Sequence, residues 1–174
     1  RAAGCGSGRD QVSHAELAVT GQSASQTLLD ATRVSQHARC LLCSDGGPFG
    51  PKVDFHVQED GSVRGRFACC EAYQSYPGIL HGGVISALLD AAMTNCLFAT
   101  GVAGVTGELV VRFLNPVHLH REAEITAKLE RSATPLYHLA AELTQDGEVL
   151  ARATAKFVDR EWTGMMGRRD LSRA

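Results

Sequence analysis

Three groups of residues in this sequence carry the chemistry. Asp90 stands between Leu88-Leu89 and Ala91-Ala92, in the middle of an apolar run. Asp is almost never fully buried without a partner, and an uncompensated carboxylate in apolar surroundings is costly or binds a proton. Asp90 is therefore either bonded to a structural partner or turned into a cleft where its charge is used as a general base or nucleophile. Upstream lies Ser75-Tyr76-Pro77-Gly78-Ile79-Leu80-His81-Gly82-Gly83. Pro77 and Gly78 set a turn, and His81, Gly82 and Gly83 fall at the start of the apolar run. The first N–H groups of a helix have no partner within it, and glycine lets another group come close to them. That makes the entry either a site for a developing oxyanion or only a tight, closely packed turn. The third group is His37-x-x-Cys40-x-x-Cys43. It offers three zinc-type ligands, but no second Cys-x-x-Cys is present. His56, the remaining option for a fourth, shares a polar strand face with Asp54 and Gln58. The Leu41-Leu42 centre suits a buried apolar turn, and no metal is expected.

The elements that position these groups follow from periodicity. Residues 83–99, GVISALLDAAMTNCLFA, lack strand alternation and are apolar almost all round, so they form a buried helix. Val53, Phe55 and Val57, then Val63, Phe67 and Cys69, alternate with polar residues on either side of Gly61 and read as a hairpin. After the helix, alternation returns at Val105–Phe113, Ala123–Leu129, Tyr137–Leu143 and Val149–Phe157, with a turn at Asp146-Gly147. In that alternation Thr106 shares a face with Glu108, Val110 and Arg112. The order is two strands, one long helix, four strands: an α+β fold in which an antiparallel sheet of about five or six strands wraps a central helix. Gly82 and Asp90 lie eight positions apart, roughly 12 Å along a helix axis. One small reacting group cannot touch both within a single chain, so a site using both requires a dimer.

Composition narrows the remaining classes. The 174 residues carry 17 Lys+Arg against 19 Asp+Glu, and a net charge of −2 argues against a nucleic-acid footprint. No apolar run approaches the length of a membrane span. Residues 1–36 lack the apolar stretch of a secretory signal, and the cysteines read as mostly reduced, which points to the cytoplasm; an organelle transit remnant stays open. Aromatics are sparse at 6% while glycine is frequent at 18, so the core is built from Ala, Val and Leu with backbones close together.

His81-Gly82-Gly83 with Asp90 nine residues after the His resembles the hotdog-fold acyl-CoA thioesterases of the PaaI-like group, as does Asn115-Pro116 after the first strand that follows the helix. The His-x-x-Cys-x-x-Cys stretch is similar to the opening of one branch of that group. The resemblance covers about residues 37–159 and implies a hotdog domain there. Residues 1–36 are then an extension, with a short helix around Leu28, Leu29, Ala31 and Val34, and residues 160–174 a polar tail. A turn is read at 44–51. The resemblance implies hydrolysis of an acyl-CoA thioester without a cofactor, in a homodimer or a dimer of dimers. Asp90 is then general base or nucleophile, and Thr106 positions water or substrate. Gly82 and Gly83 polarise the carbonyl from the partner chain, and His81 supports their loop. Many members carry an Asn six residues before the His. Here Ser75 occupies that place, preceded by Gln74, and a hydroxyl or the neighbouring amide substitutes. Arg112 is a candidate for the coenzyme A phosphates; like Lys128, Arg131, Arg152 and Lys156, it is otherwise a solvated strand residue. The alternative is a non-catalytic acyl-CoA-binding protein of the same fold.

Overall fold

A computed structural model describes residues 24–43 and 53–162. The turn read at 44–51, most of the N-terminal extension and most of the polar tail lie outside them. The elements in chain order are helix α1 (Ala24–Gln36), strands β1 (Phe55–Val57) and β2 (Val63–Ala68), helix α2 (Gly82–Phe98), then strands β3 (Gly104–Phe113), β4 (Glu122–Ala133), β5 (Leu136–Gln145) and β6 (Glu148–Asp159). The strands form one antiparallel sheet in the order β1-β2-β4-β5-β6-β3. This is the antiparallel sheet around a central helix expected from the order two strands, helix, four strands, and the hotdog arrangement that the resemblance implies.

The sheet curls around α2, which meets every strand. Eleven of its residues are buried, from Ile85 to Phe98. The strands present Phe67, Ile125, Leu139, Ala141, Leu143, Ala153 and Phe157 to it. Glycine on β2 makes room for its cross-strand partner on β1: a methyl on Gly65 would stand 2.7 Å from two atoms of the buried Phe55 ring. The β5–β6 hairpin turns through Asp146 and Gly147, both at positive φ (53° and 81°), which matches the twist of the paired strands.

The sheet has two edges, treated differently. At β1, the Gln26 side chain of α1 accepts a hydrogen bond from the Val57 N–H at 2.7 Å and reaches the Phe55 carbonyl. Helix α1 thus covers that edge, with Leu29 fully buried in the common core. At β3 the outer edge has no strand partner among the described residues, and Val105, Val110, Phe113 and Leu114 are exposed beside it. No described helix is long and apolar enough to cross a membrane.

Strand β3 departs from simple alternation. Thr106 pairs with Phe157 and Glu108 with Lys156, so Gly107 is an extra residue in a bulge. Paired residues face the same way, and Phe157 is buried in the core. Thr106 is therefore turned inward with Leu109 and Val111, and does not share the face of Glu108, Val110 and Arg112. Strict period-two counting fails here because one inserted residue inverts every side chain on one side of it.

Gly65→Ala forces a methyl into the Phe55 ring and is expected to destabilise the fold by about 1–3 kcal/mol, the range for overpacking a well-filled core. A denaturation midpoint equal to that of the unaltered chain would show that the contact is relieved at no cost.

Candidate functional site

Helix α2 carries chemistry at its entry and at its centre. At the entry, His81 is the N-cap, and its Nδ1 accepts the Gly83 N–H at 2.9 Å. The His81 ring folds back so far that a methyl on Gly83 would meet it at 3.0 Å, which explains glycine at that position. The Gly83 N–H is thus committed to His81, unlike the free pair of donors expected at Gly82 and Gly83. Gly82 keeps an N–H that no described residue accepts. The Gly82 carbonyl accepts from the Ser86 hydroxyl at 3.0 Å. The preceding loop is pinned by its own polar groups. Gln74 Oε1 accepts the Gly78 N–H at 2.8 Å, and the Ser75 hydroxyl donates to the Ile79 carbonyl at 3.4 Å. The His81 N–H reaches the Tyr73 carbonyl at 2.8 Å.

At the helix centre, Thr106 donates its hydroxyl hydrogen bond to Asp90 Oδ1 at 2.7 Å. The bulge at Gly107 is what aims that hydroxyl at the helix. Asp90 is half-buried, and burial pushes its carboxyl above the ordinary value of 3.8; the Thr106 hydrogen bond and nearby His37 oppose the rise, while Cys40 adds to it. Asp90 and Thr106 line a cavity of about 570 Å³, a volume suited to a small organic ligand. His37, Cys40, Phe98 and Arg160 line it too. The His37 ring stands edge-on to Phe98, with centroids 5.4 Å apart.

The residues singled out in the sequence therefore fall into separate places. Asp90 and Thr106 meet in the cavity. His81, Gly82 and Gly83, with Gln74 and Ser75, form the helix entry and are not part of its wall. Arg112 lies exposed on the outer face of β3, across from Arg152. His37 and Cys40 belong to the Asp90 cavity, a proximity that no local spacing reveals, because the two segments are about fifty residues apart in the chain. Among the described cysteines, Cys43, Cys69, Cys70 and Cys96 carry free thiols. Cys40 is held well below its ordinary value by hydrogen bonds, first from Cys43 and then from His37, and Cys43 is pushed up by the same sharing and by burial.

Residues 77–152 match the model of the thioesterase superfamily. A crystallised thioesterase superfamily protein is 30% identical, with a TM-score of 0.64 over 67% of this chain and 61% of its own, so the present chain spans about three-fifths of that protein's length. A phenylacetic acid degradation-related protein from Ralstonia eutropha is 27% identical, with a TM-score of 0.57 over 61% of this chain and 83% of its own. A hypothetical thioesterase protein from Streptococcus pneumoniae, solved with coenzyme A, shares the fold at 19% identity and a TM-score of 0.59, over 63% of this chain and 89% of its own. No curated protein matches the sequence.

A carboxyl whose pKa is raised by folding binds more protons in the folded than in the unfolded chain, so stability is lost as pH rises above 3.8 through the folded value. Asp90→Asn removes that loss. It is expected to raise the melting temperature at pH 7 relative to the unaltered chain, with the gap closing as pH falls toward 3.8. A melting temperature lowered at pH 7, or a gap independent of pH, would show that the carboxylate is a structural anchor instead.

Proposed function

Taking as premise that the chain is a hotdog-fold member of the thioesterase superfamily, we propose that it hydrolyses an acyl-CoA thioester to a free acid and coenzyme A. The observation that carries this reading is the Asp90–Thr106 pair on the wall of the 570 Å³ cavity. A carboxylate with a raised pKa is a stronger base near neutral pH than an ordinary one, and the hydroxyl at 2.7 Å fixes which oxygen stays free to meet water.

Water attacks the thioester carbonyl while Asp90 takes its proton. The carbonyl oxygen becomes an oxyanion and accepts the Gly82 N–H at the entry of α2, where the helix dipole favours negative charge. The intermediate collapses, the carbon–sulfur bond breaks, and the proton held by Asp90 passes to the departing thiolate. Direct attack by Asp90, giving an anhydride that water opens, uses the same groups. Gly82 and Asp90 stand too far apart along α2 to act on one carbonyl, so the Gly82 N–H comes from a second copy of the chain. The exposed apolar edge of β3 supports such pairing: Phe113 on that strand stands 3.4 Å from where a Gly82 methyl would be. His81 positions the entry through Gly83, and Ser75 and Gln74 hold the loop before it. Arg112 is exposed and available to the coenzyme A phosphates.

A panel of acyl-CoA esters with free-thiol detection tests the reading. Asp90→Asn is expected to lower kcat by about 10²–10⁴-fold, the usual contribution of a general base, while ester binding persists. The unaltered chain's kcat should rise with pH through a limb above 3.8. Binding without turnover across the panel would replace this reading with that of a non-catalytic acyl-CoA-binding protein.

A further inference from the structure

The turn that follows α1 gathers His37, Cys40 and Cys43. One ligand-type atom from each falls within 4.8 Å of the others, and His37 Nδ1 is already 3.3 Å from Cys43 Sγ. The backbone holds this convergence. The His37 N–H continues α1 onto the Arg33 carbonyl at 2.8 Å, and the Cys40 N–H closes a turn on the His37 carbonyl at 3.1 Å. The Val53 N–H then ties the Leu42 carbonyl to the entry of β1 at 3.0 Å.

The donor set has a chemical meaning. Two thiols and an imidazole are soft and borderline donors, the set that zinc-like ions select. Zn–S bonds of about 2.3 Å and Zn–N bonds of about 2.0 Å place tetrahedral ligand atoms roughly 3.4–3.8 Å apart, so side-chain movements of under about 1 Å close the triangle. Two thiolates balance a divalent charge, which removes the cost of putting either charge alone in a half-buried place. Cys43, 2% exposed, is also supported from behind. The fully buried Asn95 of α2 lies beside it, with its Nδ2 donating to the Ala91 carbonyl at 2.8 Å, and the Arg33 guanidinium is close by. Outer groups of this kind orient a ligating sulfur.

The placement of the three ligands is uneven. His37 and Cys40 line the cavity that holds Asp90 and Thr106, while Cys43 lies behind it. A cation held by all three has protein on one side and the cavity on the other. Among the described residues no fourth His, Cys, Asp or Glu joins the three, so the fourth position is a direction rather than a residue. We propose that His37, Cys40 and Cys43 bind one thiophilic divalent cation of the zinc class, with its fourth coordination position open to the Asp90 cavity. An open fourth position distinguishes exchangeable sites from closed structural ones, and it takes a water or an anionic group of whatever enters the cavity. The proposal stands whether or not Asp90 hydrolyses thioesters.

The test uses the whole chain, reduced and freed of metal by a chelator, then titrated with Zn²⁺ against a chromophoric competitor. One equivalent is expected to bind. Cys40→Ser and Cys43→Ser should each weaken binding by at least the ~10–100-fold that loss of an outer partner costs at a metal site. Co²⁺ bound to the unaltered chain should show thiolate-to-metal charge transfer and a tetrahedral ligand-field spectrum, a readout that needs no variant to fold. Three results would overturn the site: zinc held no more tightly by the unaltered chain than by the Cys40→Ser/Cys43→Ser double variant, a six-coordinate cobalt spectrum, or a reduced Cys40–Cys43 pair that takes up no metal.

Discussion

A helix that is apolar on every side has to be enclosed, and α2 carries one formal charge, Asp90, at its middle. These two demands oppose each other. Enclosure by the sheet removes water from the helix, and the carboxylate needs water or a donor. The fold meets both by leaving the wrap incomplete beside the start of β3. There the Thr106 hydroxyl reaches Asp90, and the turn after α1 supplies the opposite wall. The cavity is what remains when a six-stranded sheet closes on a helix with one group that must stay polar. Its position follows from the place of Asp90 in the helix, with Phe98 and Thr94 further along the same helix forming part of the wall.

The architecture was legible in the sequence because it rests on signals that repeat. Twelve apolar side chains spread around the axis of residues 83–99, the alternation of Ala123–Leu129 and Val149–Phe157, and the Asp146-Gly147 turn each report a local preference, and the tertiary structure agrees with all of them. Asp90 was legible for the opposite reason, as a residue that breaks its own pattern. What could not be read depends on single events with no period. The bulge at Gly107 is one residue long, and the proximity of His37 and Cys40 to Asp90 comes from the way α1 packs across α2. The commitment of the Gly83 N–H to His81 depends on one rotamer of one histidine.

Helix α2 is also a spacer. Its entry holds an N–H that no described residue accepts and its centre holds a carboxylate, and the helix itself keeps them apart. The His81 ring, by occupying Gly83, reduces a pair of donors to a single one at Gly82 and so narrows where an acceptor can sit. The turn after α1 brings His37 and Cys40 to the same helix beside Asp90. One helix thus sets the separation of three kinds of chemistry.

The bulge at Gly107 bears on how such a site arises. In a strand of strict period two, the residue at position 106 would share its face with Glu108, and no exchange of one side chain for another would bring its hydroxyl to Asp90. The change required is of chain length: one residue more between Thr106 and Glu108. Removing that residue would leave every side chain of the pair chemically intact and still separate them, by turning Thr106 outward or slipping β3 along β6. The pairing of Thr106 with Asp90 therefore depends on chain length as well as on residue type, and an alignment that ignores a one-residue gap in β3 would place this hydroxyl on the wrong face of the sheet.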